Sequence, residues 1–249
     1  MGQVIHTYKI TYFYRVNIFL AEIQNKNAIL NEEESLHCAK VLRMKEGDVI
    51  QLLNGSGKKF NAVLTRINAK QCEAEIQSEE NNPYPRNYYL HLAISPTKQN
   101  ERIEWMLEKC VEIGIDEISF IRCKNSERTA IKLERMNKIV LSAVKQSLQF
   151  QIPKVNEIRL FNDFIGTVSS DCQKLIAHCA NSEKKDFNGF KFKNEKTLVL
   201  IGPEGDFTNE EIALANNQSF VPVSLGNNRL RTETAGLVVC QTVSILSAF

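Results

Sequence analysis

The chain has 249 residues, 43% hydrophobic and 24% charged, with a formal net charge of +2. That length suits one large domain or two small ones, and that composition an ordinary globular core. A balance so near neutrality excludes a bulk polycation, so any nucleic-acid contact must gather its charge on one face. No apolar run reaches the roughly 18 residues of a membrane span. Residues 1–19 mix His6, Lys9, Arg15 and Asn17 among their apolar positions and do not read as a signal peptide. The cysteines (38, 72, 110, 123, 172, 179 and 240) are odd in number and form no C-x-x-C pair. They read as free thiols of a reducing cytoplasm, mostly small buried hydrophobes, and no cluster has metal-ligand spacing.

Taken in chain order, the first apolar-rich run, residues 16–20, predicts a strand. Asn31 is placed to cap a helix with Glu32, Glu33 and Glu34 at its positive end and Leu36, Ala39, Val41 and Leu42 along its apolar side. Residues 48–53 and 59–67 predict strands flanking the turn Asn54-Gly55-Ser56-Gly57, and residues 70–77 alternate like a further strand. Residues 78–87, polar and carrying Pro83 and Pro85, predict a connector. Hence residues 1–82 read as a small β-barrel-like domain and 83–249 as a second domain.

Beyond the connector the pattern alternates. Strands are predicted over 88–94, 117–121, 174–178, 197–201 and 220–224. Helices are predicted over 99–113, ended by Gly114, and over 133–150, stopped before Pro153. A third is capped by Thr208, with Glu210 and Glu211 in its first turn, and a fourth spans 234–246. Such alternation predicts an α/β fold with a parallel sheet, whose ligands bind at loops leaving the carboxyl ends of the strands.

Two such loops stand out. Ile201-Gly202-Pro203-Glu204-Gly205-Asp206 sets two glycines around a proline, a tight turn whose backbone can approach a ligand, and equally the form of an ordinary strand-to-helix turn. The second, residues 224–236, includes Leu225, Gly226, Arg229, Leu230, Arg231, Thr232, Glu233, Thr234 and Ala235. It opens a helix that Thr232 or Thr234 can cap, and the helix N-terminus suits an anionic group. Arg231 and Glu233 read either as functional side chains or as a surface ion pair. Neither loop has dinucleotide or P-loop spacing.

The order I-G-P-E-G, then L-G-x-x-x-L-R-x-E-T-A, resembles the SPOUT class of knotted methyltransferases, and within it the RsmE-type 16S ribosomal RNA uridine-N3 methyltransferases. The stretch from Glu34 to Arg43, with Gly47-Asp48 and residues 54–57, is similar to that family's PUA-like RNA-binding domain. Lys98, Glu101, Glu108-Lys109, Glu112-Ile113-Gly114 and Ser126-Glu127-Arg128 extend the likeness over nearly the whole chain. The sequence departs from the family at Lys145, Gln149 and Asp206, where the family commonly has Glu, Arg and Gly.

The resemblance implies a trefoil knot in the C-terminal domain, a homodimer, and S-adenosylmethionine held by Leu200, Ile201, Gly202, Pro203, Glu204, Gly205, Leu225, Gly226, Leu230, Arg231, Thr232, Thr234 and Ala235. It also places His178 near the cofactor, although a lone histidine is more often structural. Uracil N3 becomes nucleophilic only when its proton leaves, so a base or an anion-stabilising cation is required. Arg231 is the candidate cation, and Glu204 or Glu233 the candidate base. Lys40, Arg43, Lys58, Lys59, Lys98, Arg128 and Arg229 are candidate RNA contacts, each also readable as a solvated charge. Two other functions stay open: a ribose 2′-O-methyltransferase on the same scaffold, and a non-catalytic RNA-binding assembly factor.

Overall fold

The structure, a computed structural model, describes residues 17–248. The start of the first predicted strand, at Val16, and most of the stretch read against a signal peptide lie outside the described residues. The chain divides into two compact units, Met1–Asn82 and Pro83–Phe249.

In the first unit β1 (Ile18–Gln24), β2 (Asn27–Leu30), β3 (Val49–Leu53), β4 (Lys58–Arg66) and β5 (Glu73–Asn81) form a closed barrel in the order β1-β2-β5-β4-β3. Every pair is antiparallel except β1 with β3, which closes the ring in parallel. Alternate residues point inward, so Phe19, Leu30, Ile50, Leu52, Phe60 and Leu64 fill the barrel. Helix α1 (Glu32–Leu36) starts where expected: Asn31 Oδ1 accepts the Glu34 N–H at 2.9 Å. It runs into a π-helical turn, His37–Val41.

Two differences from the sequence reading have physical causes. β2 was not foreseen, because it is a run of only four residues that a hairpin with Asn25 at φ 57° folds back onto β1. β5 continues to Asn81, into the predicted connector, because Asn61 donates to the Ser78 hydroxyl at 3.1 Å and Lys58 pairs with Glu79 at 2.8 Å across the ladder.

The second unit contains β6 (Tyr89–Ile94), α2 (Asn100–Ile113), β7 (Glu117–Arg122), α3 (Leu133–Gln146), β8 (Lys154–Leu160), α4 (Phe161–Ile165) and β9 (Gln173–Ala177). It continues with β10 (Lys185–Asp186), β11 (Lys196–Ile201), α5 (Asn209–Asn217), β12 (Val221–Ser224) and α6 (Thr232–Ala248). The strands make one seven-stranded sheet, β10-β12-β9-β11-β6-β7-β8, parallel throughout. Helices α2, α3 and α6 pack together on one face, and α4 and α5 lie together on the other. On that second face Ala93, Ile121, Ile176, Leu198 and Leu200 meet Phe161, Phe164 and Phe207.

Helix ends follow local chemistry. Gly114 closes α2 at φ 120°. Thr208 and Glu211 form a reciprocal capping box on α5. Helix α3 ends at Gln146, short of the predicted residue 150, because Leu148 turns left-handed (φ 56°) and the Gln149 N–H returns to the Val144 carbonyl at 3.0 Å. Helix α6 begins at Thr232, two residues before its predicted start. The Arg231 carbonyl accepts the first helical bond, from the Ala235 N–H at 2.8 Å, so Arg231 holds the cap position assigned to Thr232 or Thr234. β8 and α4 were not foreseen: β8 is an edge strand with alternately exposed polar residues, lacking a continuous apolar run.

Candidate active site

At the carboxyl ends of β9, β11 and β12 lies a cavity of about 580 Å³. That volume is in the range of small-molecule sites, and the position, between strands whose order reverses in the sheet, is where ligands bind open α/β sheets. One wall is Ile201, Gly202, Pro203, Glu204 and Asp206, and the facing wall Leu225, Gly226, Arg229, Leu230, Arg231, Thr232 and Ala235. His178, Cys179 and Lys184, beyond the end of β9, complete it.

The first loop is clamped from several sides. The Asp206 N–H bonds the Pro203 carbonyl at 2.9 Å, closing the turn. Asp206 itself is left-handed (φ 63°). Its Oδ2 accepts the Cys179 N–H at 2.7 Å and its Oδ1 the Phe207 N–H at 2.9 Å. Asn125 donates its amide to the carbonyls of Gly205 and Asp206 at 3.1 and 3.0 Å. A Cβ at Gly205 would stand 3.0 Å from the Asn125 Cβ, so glycine permits that approach. In the second loop Gly226 is at φ 129°, where glycine is required by the backbone and not by crowding. The two loops are tied by the buried Thr232 hydroxyl, which donates to the Gly202 carbonyl at 3.1 Å.

His178 is 8% exposed, and neither ring nitrogen has a hydrogen-bond partner among the described residues. Burial, and then the neighbouring Lys184, lower its pKa, so at neutral pH the ring is uncharged with one donor and one acceptor to offer. Arg231 is exposed on the cavity wall, and no hydrogen bond or ion pair joins its side chain to another described residue. Glu204 Oε1 accepts the Lys98 N–H at 2.9 Å. Arg229 reaches the Glu204 carbonyl at 3.4 Å. Arg128 donates to the Thr97 carbonyl at 2.9 Å and also to the Lys98 carbonyl. Lys98, Arg128 and Arg229 therefore gather at one rim of the cavity.

Not every candidate faces the cavity. Leu200 is in the core, and Gly205 lies behind the wall against Asn125. Thr234 is half-buried on α6 outside the lining. Glu233 is 6% exposed and faces Arg102 of α2 at 3.7 Å, not Arg231; its Oε2 has no partner among the described residues. In the barrel Lys40 and Arg43 are exposed, Lys58 pairs with Glu79, and Lys59 is buried, 6% exposed, with its pKa lowered by burial. Lys59 is thus no open surface cation, contrary to the sequence reading. Asp206, Cys179, Lys184, Asn227 and Asn228 line the cavity without having been singled out as ligands. The sequence signal for Cys179 was its place beside His178, and for Asp206 its departure from the family glycine.

The RNA methyltransferase domain family matches residues 84–244, and the RNA methyltransferase PUA domain matches residues 30–77. The Ribosomal RNA small subunit methyltransferase E of Rickettsia conorii is 27% identical over 240 residues, covering 94% of this chain and 95% of the relative. A crystal structure of a probable rRNA-methyltransferase from Porphyromonas gingivalis is 40% identical with a TM-score of 0.85, over 94% of this chain and 99% of that one. The Neisseria gonorrhoeae Ribosomal RNA small subunit methyltransferase E, solved bound to S-adenosyl methionine, is 28% identical with a TM-score of 0.82, over 93% and 98%.

Proposed function

The chain belongs to the RNA methyltransferase family, and from that premise we propose that it methylates N3 of a uridine in 16S rRNA of the small ribosomal subunit, using S-adenosylmethionine. One observation carries the reading: a cavity walled by two clamped glycine loops, into which a buried neutral histidine brings two unpartnered ring nitrogens. A buried polar ring without partners is costly, and a ligand rich in donors and acceptors would relieve it. The bound cofactor supplies a methyl group activated by a positively charged sulfur.

The protein's part is to hold the acceptor and remove its proton. The walls formed by Gly202, Pro203, Leu225, Leu230 and Ala235 orient the donor through backbone groups and apolar contact. Arg231 stabilises the anion left when uracil N3 loses its proton. What supports it is a cavity-facing guanidinium with no other described partner. Glu204 is the better-placed candidate base, supported by its position on the wall, while Glu233 acts from behind by fixing the start of α6 through Arg102. Lys40, Arg43 and Lys58 on the barrel, with Lys98, Arg128 and Arg229 at the cavity rim, grip the phosphates, and the target uridine turns out of its stack into the site. We further propose a trefoil-knotted C-terminal domain acting as a homodimer in the cytoplasm. Support for the knot is that α6, after the second loop, packs back on β6 and β11.

The test is methyl transfer from labelled S-adenosylmethionine to small subunits from cells lacking the activity, read by mass analysis of nucleosides. 3-Methyluridine is the expected product, and a different methylated nucleoside would refute the target. Arg231→Ala is expected to lower kcat by roughly 10²–10³-fold with cofactor affinity little changed. An unaltered kcat would remove Arg231 from the chemistry.

A further inference from the structure

A second cavity, of about 590 Å³, shares no lining residue with the first. It opens at the amino-terminal half of β6, β7, β8 and β11, on the face that carries α4. In a parallel sheet with helices on both faces, inward positions are normally apolar. On this face the upper half obeys: Ala93, Ile121 and Leu200 join the core. On β6, β7 and β8 the lower half does not. The pairs Tyr89 and His91, Glu117 and Ser119, Lys154 and Asn156 are neighbours on adjacent strands, with His91 opposite Glu117 and Ser119 opposite Asn156. The five-residue α4 meets His91, whose ring lies edge-on to Phe164 with centroids 5.9 Å apart, and leaves Tyr89 and Lys154 exposed. Breaking a local rule so consistently marks a functional surface more often than an accident.

The polar groups are prearranged. The Ser119 hydroxyl lies 2.8 Å from His91 Nε2, and Asn156 Nδ2 donates to Ser119 Oγ at 2.8 Å and Glu117 Oε1 at 2.6 Å. Tyr89 and Lys154 donate to Glu117 at 2.7 and 3.1 Å. Because Asn156 Nδ2 gives both its protons to the network, its carbonyl oxygen remains for a donor on a ligand. Phe164 and Val168 form an apolar wall opposite this row. At the rim Lys154, Arg159 and Lys196 outnumber Glu117 and Glu157, and the exposed Lys196 has no described partner.

We propose that this cavity binds a nucleoside monophosphate, with the base against Val168 and the Asn156 row and the phosphate at Lys196. The nucleotide is either free or one unit of an RNA strand, and the chemistry recognised is the same. The inference does not depend on the role of the first cavity.

Titration calorimetry of the full chain tests it, with uridine 5′-monophosphate and adenosine 5′-monophosphate as one arm and a short single-stranded oligoribonucleotide as the other, each with and without saturating S-adenosylmethionine. Saturable binding that S-adenosylmethionine leaves intact is expected. It should weaken about tenfold or more in Lys196→Glu, the loss of a charge-assisted contact, and in Val168→Trp, which fills the cavity without altering charge. Binding of the mononucleotides identifies a free nucleotide as the ligand; binding of the oligonucleotide alone, lost in both variants, identifies a unit of the RNA strand. Absence of saturable binding by every probe, displacement by S-adenosylmethionine, or undiminished binding in Val168→Trp overturns the proposal.

Discussion

Asp206 shows how much one side chain can organise. A left-handed backbone is uncommon for a residue with a Cβ, although Asp tolerates it better than most. Here the carboxylate offsets that cost by accepting two backbone N–H groups and so joining the end of β9 to the first loop. His91 shows the converse, a group whose protonation opposes folding. Burial lowers its pKa from 6.5 to about 4. Between those values the unfolded chain binds more protons than the folded one, so stability falls as pH drops from about 6.5 toward 4, by up to about 3 kcal/mol. Burial works against the charge of Glu117, yet His91 and the donors Tyr89, Asn156 and Lys154 hold its pKa down at about 2, so further stability is lost below about 4.5. Urea midpoints measured across this range should decline in the wild type and decline less in His91→Gln between pH 6.5 and 4. His178, lowered in the same direction, accounts for part of the remaining slope. Identical slopes in the two proteins would contradict the assignment.

Among the elements, α6 matters most to the site, because its first turn brings Thr232 and Ala235 to the cavity. Its close approach to the sheet depends on Gly236. A Cβ there would stand 3.1 Å from Met106 Sδ and 3.2 Å from both Ile94 and Leu92 side chains. Gly236→Leu is therefore expected to destabilise the fold by about 1–3 kcal/mol through overpacking. It should also weaken S-adenosylmethionine binding in calorimetry, since Thr232 would withdraw from the Gly202 carbonyl. A leucine variant as stable as the wild type in urea would show that the helix has more room than these distances allow.

For the whole molecule, the separate cores of the two units let the barrel and the sheet be read as distinct modules. The homodimer proposal rests on α2 and α6, which pack together and leave Trp105, Ile245 and Leu246 exposed at 47%, 49% and 38%. Large apolar side chains left exposed on two neighbouring helices favour a covered surface. Light scattering should give the mass of two chains for the wild type and of one chain for Trp105→Glu. A monomeric wild type would dismiss the dimer.

What could be read from the residues was what depends on near neighbours. The Asn31 cap, the Gly114 stop, the Thr208 cap and the two glycine loops between strand and helix are signals within a few residues of one another, and the helices and buried strands they bound followed. Elements held by distant partners escaped: β8 is a largely polar strand that exists because β7 offers a ladder, and α4 exists because Phe161 and Phe164 find a core, while β2 escaped because it is only four residues long. The first cavity was legible as two loops, but its third wall at Cys179 and Lys184, the Asp206 clasp and the burial of Glu233 against α2 required the fold. The polar half of the sheet face was equally hidden. Tyr89, Glu117, Asn156 and Lys196 are scattered over more than a hundred positions in the chain, and only parallel strand pairing brings them side by side.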